Sequence, residues 1–257
     1  MVIIDVRRFE ALIFDLDGVI TQTASIHAQA WKQLFDAFLS QRAAQTGAAF
    51  VPFDLESDYR HYVDGKSRIA GVLGFLAARG IDMETGAPGD PAELETAHGL
   101  GGRKDQYFVE LLTHEGVHVS ASVVALLQEA RGRGLRIAVA SSSHHCAEIL
   151  RTAGLTALFD ARVDGVDLDR LGLMGKPAPD MFLEAARRLQ VPPVHTAVFE
   201  DATAGVEAAR AGGFGLIIGV APAARAADLL KQGADGVVDA LGEIRLEGTR
   251  TSGKSLL

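Results

Sequence analysis

Two aspartates one residue apart, Asp15 and Asp17, stand where an apolar run of the chain ends, just before Gly18. If residues 12–14 form a buried parallel strand, both carboxylates lie in the crevice beyond its carboxyl end, where open α/β sheets bind ligands. Side chains at positions i and i+2 share a face of an extended segment, so the two carboxylates could hold one hard cation, or one could attack while the other moves a proton. A strand end followed by an ordinary turn would also place Asp and Gly here.

Three other apolar runs also end in polar groups that suit phosphate chemistry. Ser141 opens a Ser-Ser-Ser-His segment, and hydroxyls and free N–H groups at a helix start favour an anion, although an ordinary serine N-cap fits equally well. Lys176 stands before a proline, which stiffens the backbone that carries it, whereas most single lysines are solvated surface residues. Glu200 and Asp201 suit metal coordination or simple helix capping. Together, the four strand ends predict a Mg²⁺-dependent phosphoryl-transfer site.

The bulk properties of the chain exclude several classes of protein. A length of 257 residues allows one large domain or two smaller ones. The net charge of -8 argues against nucleic acid or an acidic membrane surface as a partner. The single cysteine, Cys146, precludes an internal disulfide and fits a reducing compartment. With neither a charged and apolar leader nor a long apolar stretch in the sequence, we expect a cytoplasmic protein.

Two regions of the chain have different patterns of apolar residues. From about residue 117, short apolar runs alternate with helical patterns, which predicts a parallel sheet covered on both faces, and residues 1–20 supply one more strand of it. The stretch between them lacks strand runs and shows helical spacing. We therefore expect an α/β fold: a Rossmann-like, doubly wound parallel sheet core at 1–23 and 117–257, with an inserted α-helical cap domain at 24–116.

The predicted elements of the core alternate along the chain. The expected strands and helices, in order, are strand 135–140, helix 145–152, strand 161–163, helix 179–189, strand 196–199, helix 202–211, strand 215–218, helix 223–232 and strand 236–238. A variable loop is expected between 163 and Gly175. Gly, Pro and small residues predict loops at 46–54 and 86–91, and residues 249–257 are predicted to form a polar tail.

The motifs resemble those of the haloacid dehalogenase superfamily of phosphotransferases. This resemblance extends over nearly the whole chain, in the family's order, through Phe14-Asp-Leu-Asp-Gly-Val-Ile20, Ala140-Ser-Ser-Ser143, Lys176-Pro-Ala-Pro-Asp180 and Glu200-Asp201. Further segments resemble the β-phosphoglucomutase group within it: Val19-Ile-Thr-Gln-Thr-Ala24, His27, Ala30-Trp-Lys32, Asp64-Gly-Lys-Ser-Arg68 and Gly102-Arg-Lys104.

The resemblance implies a role for each residue at the strand ends. Asp15 would be the nucleophile that forms an aspartyl phosphate, and it would also bind Mg²⁺. Asp17 would be the general acid and base, and it would give the metal only its backbone carbonyl. Asp201 would complete the protein's metal ligands, with Glu200 either a direct ligand or a partner of one.

Phosphate binding is implied for residues of both the core and the cap. Ser141 and Lys176 would hold the oxygens of the transferring phosphoryl group. Thr23 and His27 would position or polarise Asp17. Arg68 would bind the distal phosphate of a sugar bisphosphate, and the implied set of residues that help it is Ser143, His144 and Lys104.

The resemblance also implies a reaction. It is that of a mutase that interconverts β-glucose 1-phosphate and glucose 6-phosphate through bound glucose 1,6-bisphosphate. A phosphatase of the same family, in which water discharges phosphorylated Asp15, stays an alternative. The complete set of site residues argues against a third reading, a catalytically silent binding protein. We expect a small-molecule sugar phosphate as the partner and a monomeric chain.

Three residues depart from the pattern of the β-phosphoglucomutase group. Gln22 replaces an aspartate, Asp105 replaces an asparagine and His144 replaces a lysine. Asp105 matters most. Its carboxylate would weaken a second phosphate site, or would pair with Arg103 or Lys104 and redirect that residue.

Overall fold

The computed structural model describes residues 1–249, so the predicted tail lies, after its first residue, outside the described part of the chain. In chain order the strands are β1 (Val2–Asp5), β2 (Ala11–Phe14), β3 (Arg136–Ala140), β4 (Ala161–Val163), β5 (Thr196–Glu200), β6 (Leu216–Val220), β7 (Gly236–Val238) and β8 (Ile244–Glu247). The α-helices are α1 (Ala24–Thr46), α2 (Arg68–Ala78), α3 (Ala97–Glu115), α4 (Ala121–Gly132), α5 (Cys146–Thr152), α6 (Gly165–Leu171), α7 (Asp180–Leu189), α8 (Thr203–Ala211) and α9 (Ala223–Gln232).

The chain divides into two compact units. The core unit comprises Met1–Thr21 and the described residues from Val119 onward, and the inserted unit comprises Gln22–His118. Regular helices of the inserted unit are α1, α2 and α3. Each helix in the described part of the chain is too short or too polar to cross a lipid bilayer.

The core unit contains a six-stranded parallel sheet in the order β4-β3-β2-β5-β6-β7. This confirms the predicted α/β fold with a parallel sheet. All four residues of β2 are buried, and because alternate side chains point to opposite faces, both faces of the sheet are covered there. Phe14 is opposite Val139 and Phe199 in the register, and its ring stacks on Phe199 with the centroids 4.5 Å apart. The ends of β2, β3 and β5 are therefore level, which brings the residues that follow them together.

Two predicted features of the core differ in the structure. Residues 1–20 supply two strands rather than one, because β1 pairs in parallel with β8 in a separate two-stranded sheet. Both strands are short and half-exposed, so neither has the apolar run that marks a buried strand. The variable loop expected before Gly175 contains α6. Asp164 caps this helix, accepting from the N–H groups of Val166 and Asp167 at 3.1 Å.

The inserted unit has an aromatic core. The Phe35 ring lies 5.3 Å from Trp31, 5.1 Å from Phe53 and 4.2 Å from Phe75, measured between centroids. All four side chains are buried, so aromatic burial on α1 and α2 and in the loop between them stabilises this unit. The loops predicted at 46–54 and 86–91 lie outside regular elements, apart from Thr46, which ends α1.

Replacement of Phe35 tests this core. Phe35→Ala should lower the free energy of unfolding by about 3–5 kcal/mol, since it removes a fully buried ring and leaves a cavity. Urea denaturation followed by circular dichroism measures the change. Phe50→Ala is the matched control because Phe50 is 46% exposed, and its effect should stay within about 0.5 kcal/mol. Equal effects of the two substitutions would contradict the assignment of Phe35 to the core.

Candidate active site

Asp15 and Asp17 lie directly beyond the carboxyl end of β2. The Asp15 N–H donates to the carbonyl of Phe199 at 2.9 Å, which extends the ladder between β2 and β5 by one residue. The chain then turns at Gly18, whose φ of 91° favours glycine, and the Gly18 N–H donates to the Thr21 carbonyl at 2.8 Å. The turn stops the strand and leaves both carboxylates at the edge of the sheet, as the sequence predicts.

Lys176 joins the ends of three strands. Its Nζ donates to Asp15, which follows β2, and to Glu200, the last residue of β5. A longer contact of 3.4 Å reaches the carbonyl of Ala140, the last residue of β3. The Lys176 side chain is completely buried, so these oxygens replace the water that an ammonium group would otherwise bind.

Burial and charge oppose each other in this cluster. Burial raises the pKa of Asp15 to about 8; the Lys176 ammonium counteracts this increase, while the Glu200 and Asp17 carboxylates add to it. Burial alone would lower the pKa of Lys176, but the Asp15 and Glu200 carboxylates outweigh it and raise that pKa. Lys176 therefore stays an ammonium ion. The cluster contains more carboxylates than ammonium groups. The excess negative charge favours a proton or a further cation at Asp15.

Ser141 connects the β3 end to Asp17. Its Oγ donates to Asp17 Oδ2 at 3.2 Å and accepts from the Ser143 N–H at 3.1 Å. Ser143 Oγ in turn accepts from the His145 N–H at 3.2 Å. These bonds fold the serine segment into a turn before α5, with Ser141 buried against the acid pair.

His144 is held toward α6. Its Nε2 lies 2.8 Å from Asp169 Oδ2. A Cβ added at Gly165 would approach His144 Nδ1 to 2.6 Å, so glycine at this position makes room for the imidazole. The sequence pattern predicts a loop where α6 lies, so it does not indicate Asp169 as a partner of His144.

Glu200 and Asp201 have different surroundings. Glu200 Oε1 accepts from Lys176 and Oε2 accepts from the Ala202 N–H at 2.9 Å, so both of its oxygens already receive protein hydrogen bonds. Asp201 is also buried.

Among residues 1–249, no group of three or more His, Cys, Asp or Glu side chains is arranged to hold a metal ion. The metal ligands expected from the resemblance, the carboxylates of Asp15 and Asp201 and the carbonyl of Asp17, are hard oxygen donors of the kind that a divalent cation binds together with water.

In the inserted unit, Lys104 and His27 form a buried pair. Lys104 Nζ lies 2.6 Å from His27 Nδ1, and it also lies over the rings of Trp31 and Phe108, at 5.3 Å and 4.7 Å from their centroids. The His27 ring stacks on Phe108 with a centroid distance of 4.0 Å. When Lys104 is an ammonium group it can only donate, so His27 Nδ1 then accepts and the ring carries its proton on Nε2. Thr23 precedes α1, and its carbonyl accepts from the His27 N–H at 3.0 Å.

Arg68 forms an ion pair with Asp105. Arg68 Nη2 lies 2.7 Å from Asp105 Oδ1, whereas the sequence predicts that Asp105 either weakens a second phosphate site or pairs with Arg103 or Lys104. Consecutive helix residues point in different directions, which is why a neighbour in the sequence is a poor guide here. The Arg103 guanidinium donates to the Ala92 carbonyl at 3.0 Å from Nε and 2.7 Å from Nη2.

The chain is similar to known proteins over most of its length. A sequence model of haloacid dehalogenase-like hydrolases matches residues 9–213. The chain belongs to this family. It is 48% identical over 241 residues to a β-phosphoglucomutase of Mycobacterium tuberculosis (strain CDC 1551 / Oshkosh), covering 93% of this chain and 92% of that protein. The resemblance inferred from the motifs is thus confirmed.

Solved structures of the family have the same fold. The β-phosphoglucomutase of Clostridium difficile superposes with a TM-score of 0.69 at 26% sequence identity, covering 92% of this chain and 93% of that one. CbbY of Rhodobacter sphaeroides, solved in complex with phosphate, gives a TM-score of 0.65 at 26% identity, covering 91% of this chain and 96% of that one. Phosphoglucomutases of the family use a divalent metal ion.

Gly205 on α8 is a residue that the sequence analysis missed. A Cβ at this position would lie 1.8 Å from Glu200 Oε1 and 2.0 Å from Glu200 Cδ. The absence of a side chain at 205 therefore allows Glu200 to reach Lys176. One sequence signal could have identified Gly205. It is a glycine in the first turn of a helix that follows an acidic strand end.

Gly205→Ala should displace Glu200 and leave Lys176 with fewer acceptors. We expect the free energy of unfolding to fall by about 1–3 kcal/mol, the usual effect of an unsatisfied buried polar group. Differential scanning calorimetry measures the change. Gly132→Ala is the control, because a Cβ there meets nothing within 4 Å, and stability should be unchanged or rise by up to about 1 kcal/mol. If both variants keep wild-type stability, Gly205 does not act through Glu200.

Asp15→Asn should stabilise the folded protein at high pH. Asp15 holds its proton more tightly in the folded state than at its ordinary pKa of 3.8, so the wild-type free energy of unfolding should fall as pH rises from about 4 to about 8. The asparagine variant should lack this loss and should exceed wild type at pH 8 by at least about 1.4 kcal/mol, or about 2–4 °C in Tm. The gap should close toward pH 4.

Thermal melts in the presence of a chelator measure this difference. Asp167→Asn serves as a control of opposite sign, because the Arg188 hydrogen bond lowers the pKa of Asp167 to about 2. That carboxylate stabilises the fold above its ordinary pKa, and its loss should lower Tm at pH 8. An Asp15→Asn variant that melts below wild type at pH 8 would contradict the burial argument.

Proposed function

We propose that the protein is a β-phosphoglucomutase, which interconverts β-glucose 1-phosphate and glucose 6-phosphate through bound glucose 1,6-bisphosphate. The observation that carries this proposal is the extent of the similarity to the mycobacterial β-phosphoglucomutase, which covers 93% of the chain and so includes both units. The buried cluster of Asp15, Asp17, Ser141 and Lys176 supports the same chemistry.

In the first half-reaction, the Asp15 carboxylate attacks the phosphorus of the bisphosphate. A bond forms between an Asp15 oxygen and phosphorus, and the bond from phosphorus to the sugar oxygen breaks. Asp17 gives its proton to the departing sugar oxygen. Lys176, held beside Asp15, offsets negative charge on the phosphoryl oxygens, and the Ser141 hydroxyl donates to one of them.

In the second half-reaction, the roles of the two aspartates reverse. Glucose 6-phosphate leaves and β-glucose 1-phosphate binds; Asp17 takes the proton from its 6-hydroxyl, that oxygen attacks the phosphorus, and the bond from phosphorus to Asp15 breaks, which frees the Asp15 carboxylate and forms the bisphosphate again. The hydrogen bond from Ser141 Oγ to Asp17 Oδ2 suits this step, because an accepted hydrogen bond stabilises the ionised carboxylate that must receive the proton.

We propose Mg²⁺ as the divalent cation, held by the carboxylates of Asp15 and Asp201 and the backbone carbonyl of Asp17. It would supply positive charge to the transferring phosphoryl group. Because both oxygens of Glu200 accept protein hydrogen bonds, we assign this residue to holding Lys176 rather than to direct contact with the metal.

The remaining residues are assigned to substrate binding. Arg68 binds the phosphate that is not being transferred, and Lys104 holds His27 as a neutral donor through Nε2. We keep Thr23, Ser143 and His144 as substrate-binding residues of the same proposal. The core and inserted units act as the catalytic and cap domains of a cytoplasmic monomer.

A phosphatase is the second candidate, favoured by the hydrolase description of the matched family. The first half-reaction would be the same, and water would then discharge phosphorylated Asp15 to inorganic phosphate.

A ³¹P NMR time course separates the two activities. The enzyme is mixed with Mg²⁺, β-glucose 1-phosphate and a trace of glucose 1,6-bisphosphate, and we expect glucose 6-phosphate to accumulate without inorganic phosphate. Asp15→Asn is the negative control and should form no product, because it lacks the nucleophile. Inorganic phosphate as the main product would overturn the mutase in favour of the phosphatase. No turnover with any sugar phosphate would overturn both.

A further inference from the structure

Asp105 is paired with the Arg68 guanidinium, the group that would bind the distal phosphate. Arg68 Nη2 and Asp105 Oδ1 are 2.7 Å apart, and the two side chains are only 22% and 30% exposed. A charge pair that is partly shielded from water is screened less than one on the open surface. The Arg68 site of the inserted unit thus already contains an anion, supplied by the protein itself.

The packing of α2 against α3 is arranged for this contact. Gly101 lies one helical turn before Asp105 and so on the same face of α3. A Cβ at Gly101 would come within 3.2 Å of Arg68 Cδ, so the missing side chain lets the stem of Arg68 lie along α3 toward Asp105. Arg68 Nη1 also lies 3.5 Å from the Gly101 carbonyl.

The position of Arg68 makes a negative charge favourable there. Arg68 is the first residue of α2, whose free N–H groups carry partial positive charge, and the first turn of α2 contains no acidic residue. Asp105, which comes from α3, supplies the missing negative charge. A phosphate dianion satisfies the same guanidinium with two charges instead of one, and with a matching bidentate geometry.

We infer that Asp105 is a specificity-determining residue that acts as an internal competitor of the substrate's distal phosphate for Arg68. This inference rests on the proposed function, in which Arg68 binds the phosphate that is not transferred. A dianionic phosphate displaces the Asp105 carboxylate, whereas a neutral sugar or a weak anion does not. Asp105 thereby weakens the binding of every ligand at Arg68 and selects those with a full phosphate group.

Asp105→Asn should therefore tighten sugar-phosphate binding. The substitution keeps the size of the side chain and removes its charge, so KM for β-glucose 1-phosphate and the Kd for glucose 6-phosphate should each fall about three- to tenfold. The value of kcat should not rise, because the residue does not touch the reacting atoms. Steady-state kinetics and isothermal titration calorimetry measure these quantities on the full chain.

Two controls separate competition from a general charge effect. Glu110→Gln removes an equal charge from an exposed position of the same helix and should leave KM unchanged. In the Arg68→Ala background, Asp105→Asn should change KM by less than about twofold, because the residue through which it acts is gone. Thermal melts of each variant report any loss of packing.

Two results for Asp105→Asn would overturn the inference. One is an unchanged or higher KM and Kd, and the other is an equal fall in KM in the Arg68→Ala background. A lower Tm with unchanged KM would mean that Asp105 only supports the packing of α2 on α3, which also overturns it. A failure of the proposed function looks different, since wild type itself would then form no glucose 6-phosphate while the calorimetric comparison would still report on Arg68 and Asp105.

Discussion

A completely buried ammonium group lies between two buried carboxylates in this protein, and much of the core unit serves to keep these three charges together. Removing charged groups from water is costly, and leaving one of them without its partner costs even more. Level strand ends, set by the register around Phe14, bring Asp15 and Glu200 to the same Lys176. The Ala202 N–H satisfies the second Glu200 oxygen, and the bare backbone of Gly205 gives that carboxylate its space.

Under the proposed function, the same arrangement makes Asp15 reactive. A carboxylate that is stripped of water and surrounded by other acids is a stronger base than one on the surface, and a cation or a phosphorus centre can relieve its charge. Stability and chemistry therefore oppose each other at this residue. If Asp15 is the nucleophile that we propose, the fold accepts an unfavourable charge where the reaction needs one.

The sequence predicts which residues meet at the strand ends well and predicts the connections between distant segments poorly. Asp15, Ser141 and Glu200 could be found because each directly follows an apolar run, and the carboxyl ends of parallel strands meet at one edge, whereas Lys176 was marked by the proline that follows it. The pairing of β1 with β8 joins residues 2–5 to 244–247, and two short, half-exposed segments carry no local sign of such a partner. The partner of Asp105 could not be predicted either, because it depends on how two helices pack.

The insertion of a complete helical unit shortly after β2 affects the order in which the chain can fold during synthesis. The inserted unit is one continuous segment, Gln22–His118, with its own aromatic core, so all of its contacts are available once that segment has been made. By contrast, β2 must wait for neighbours that begin at Arg136 and Thr196, and β1 waits for Ile244. The apolar strand β2 thus gains its first neighbour only when β3 has been made and its second only when β5 has been made, which exposes the nascent core to aggregation until β5 arrives.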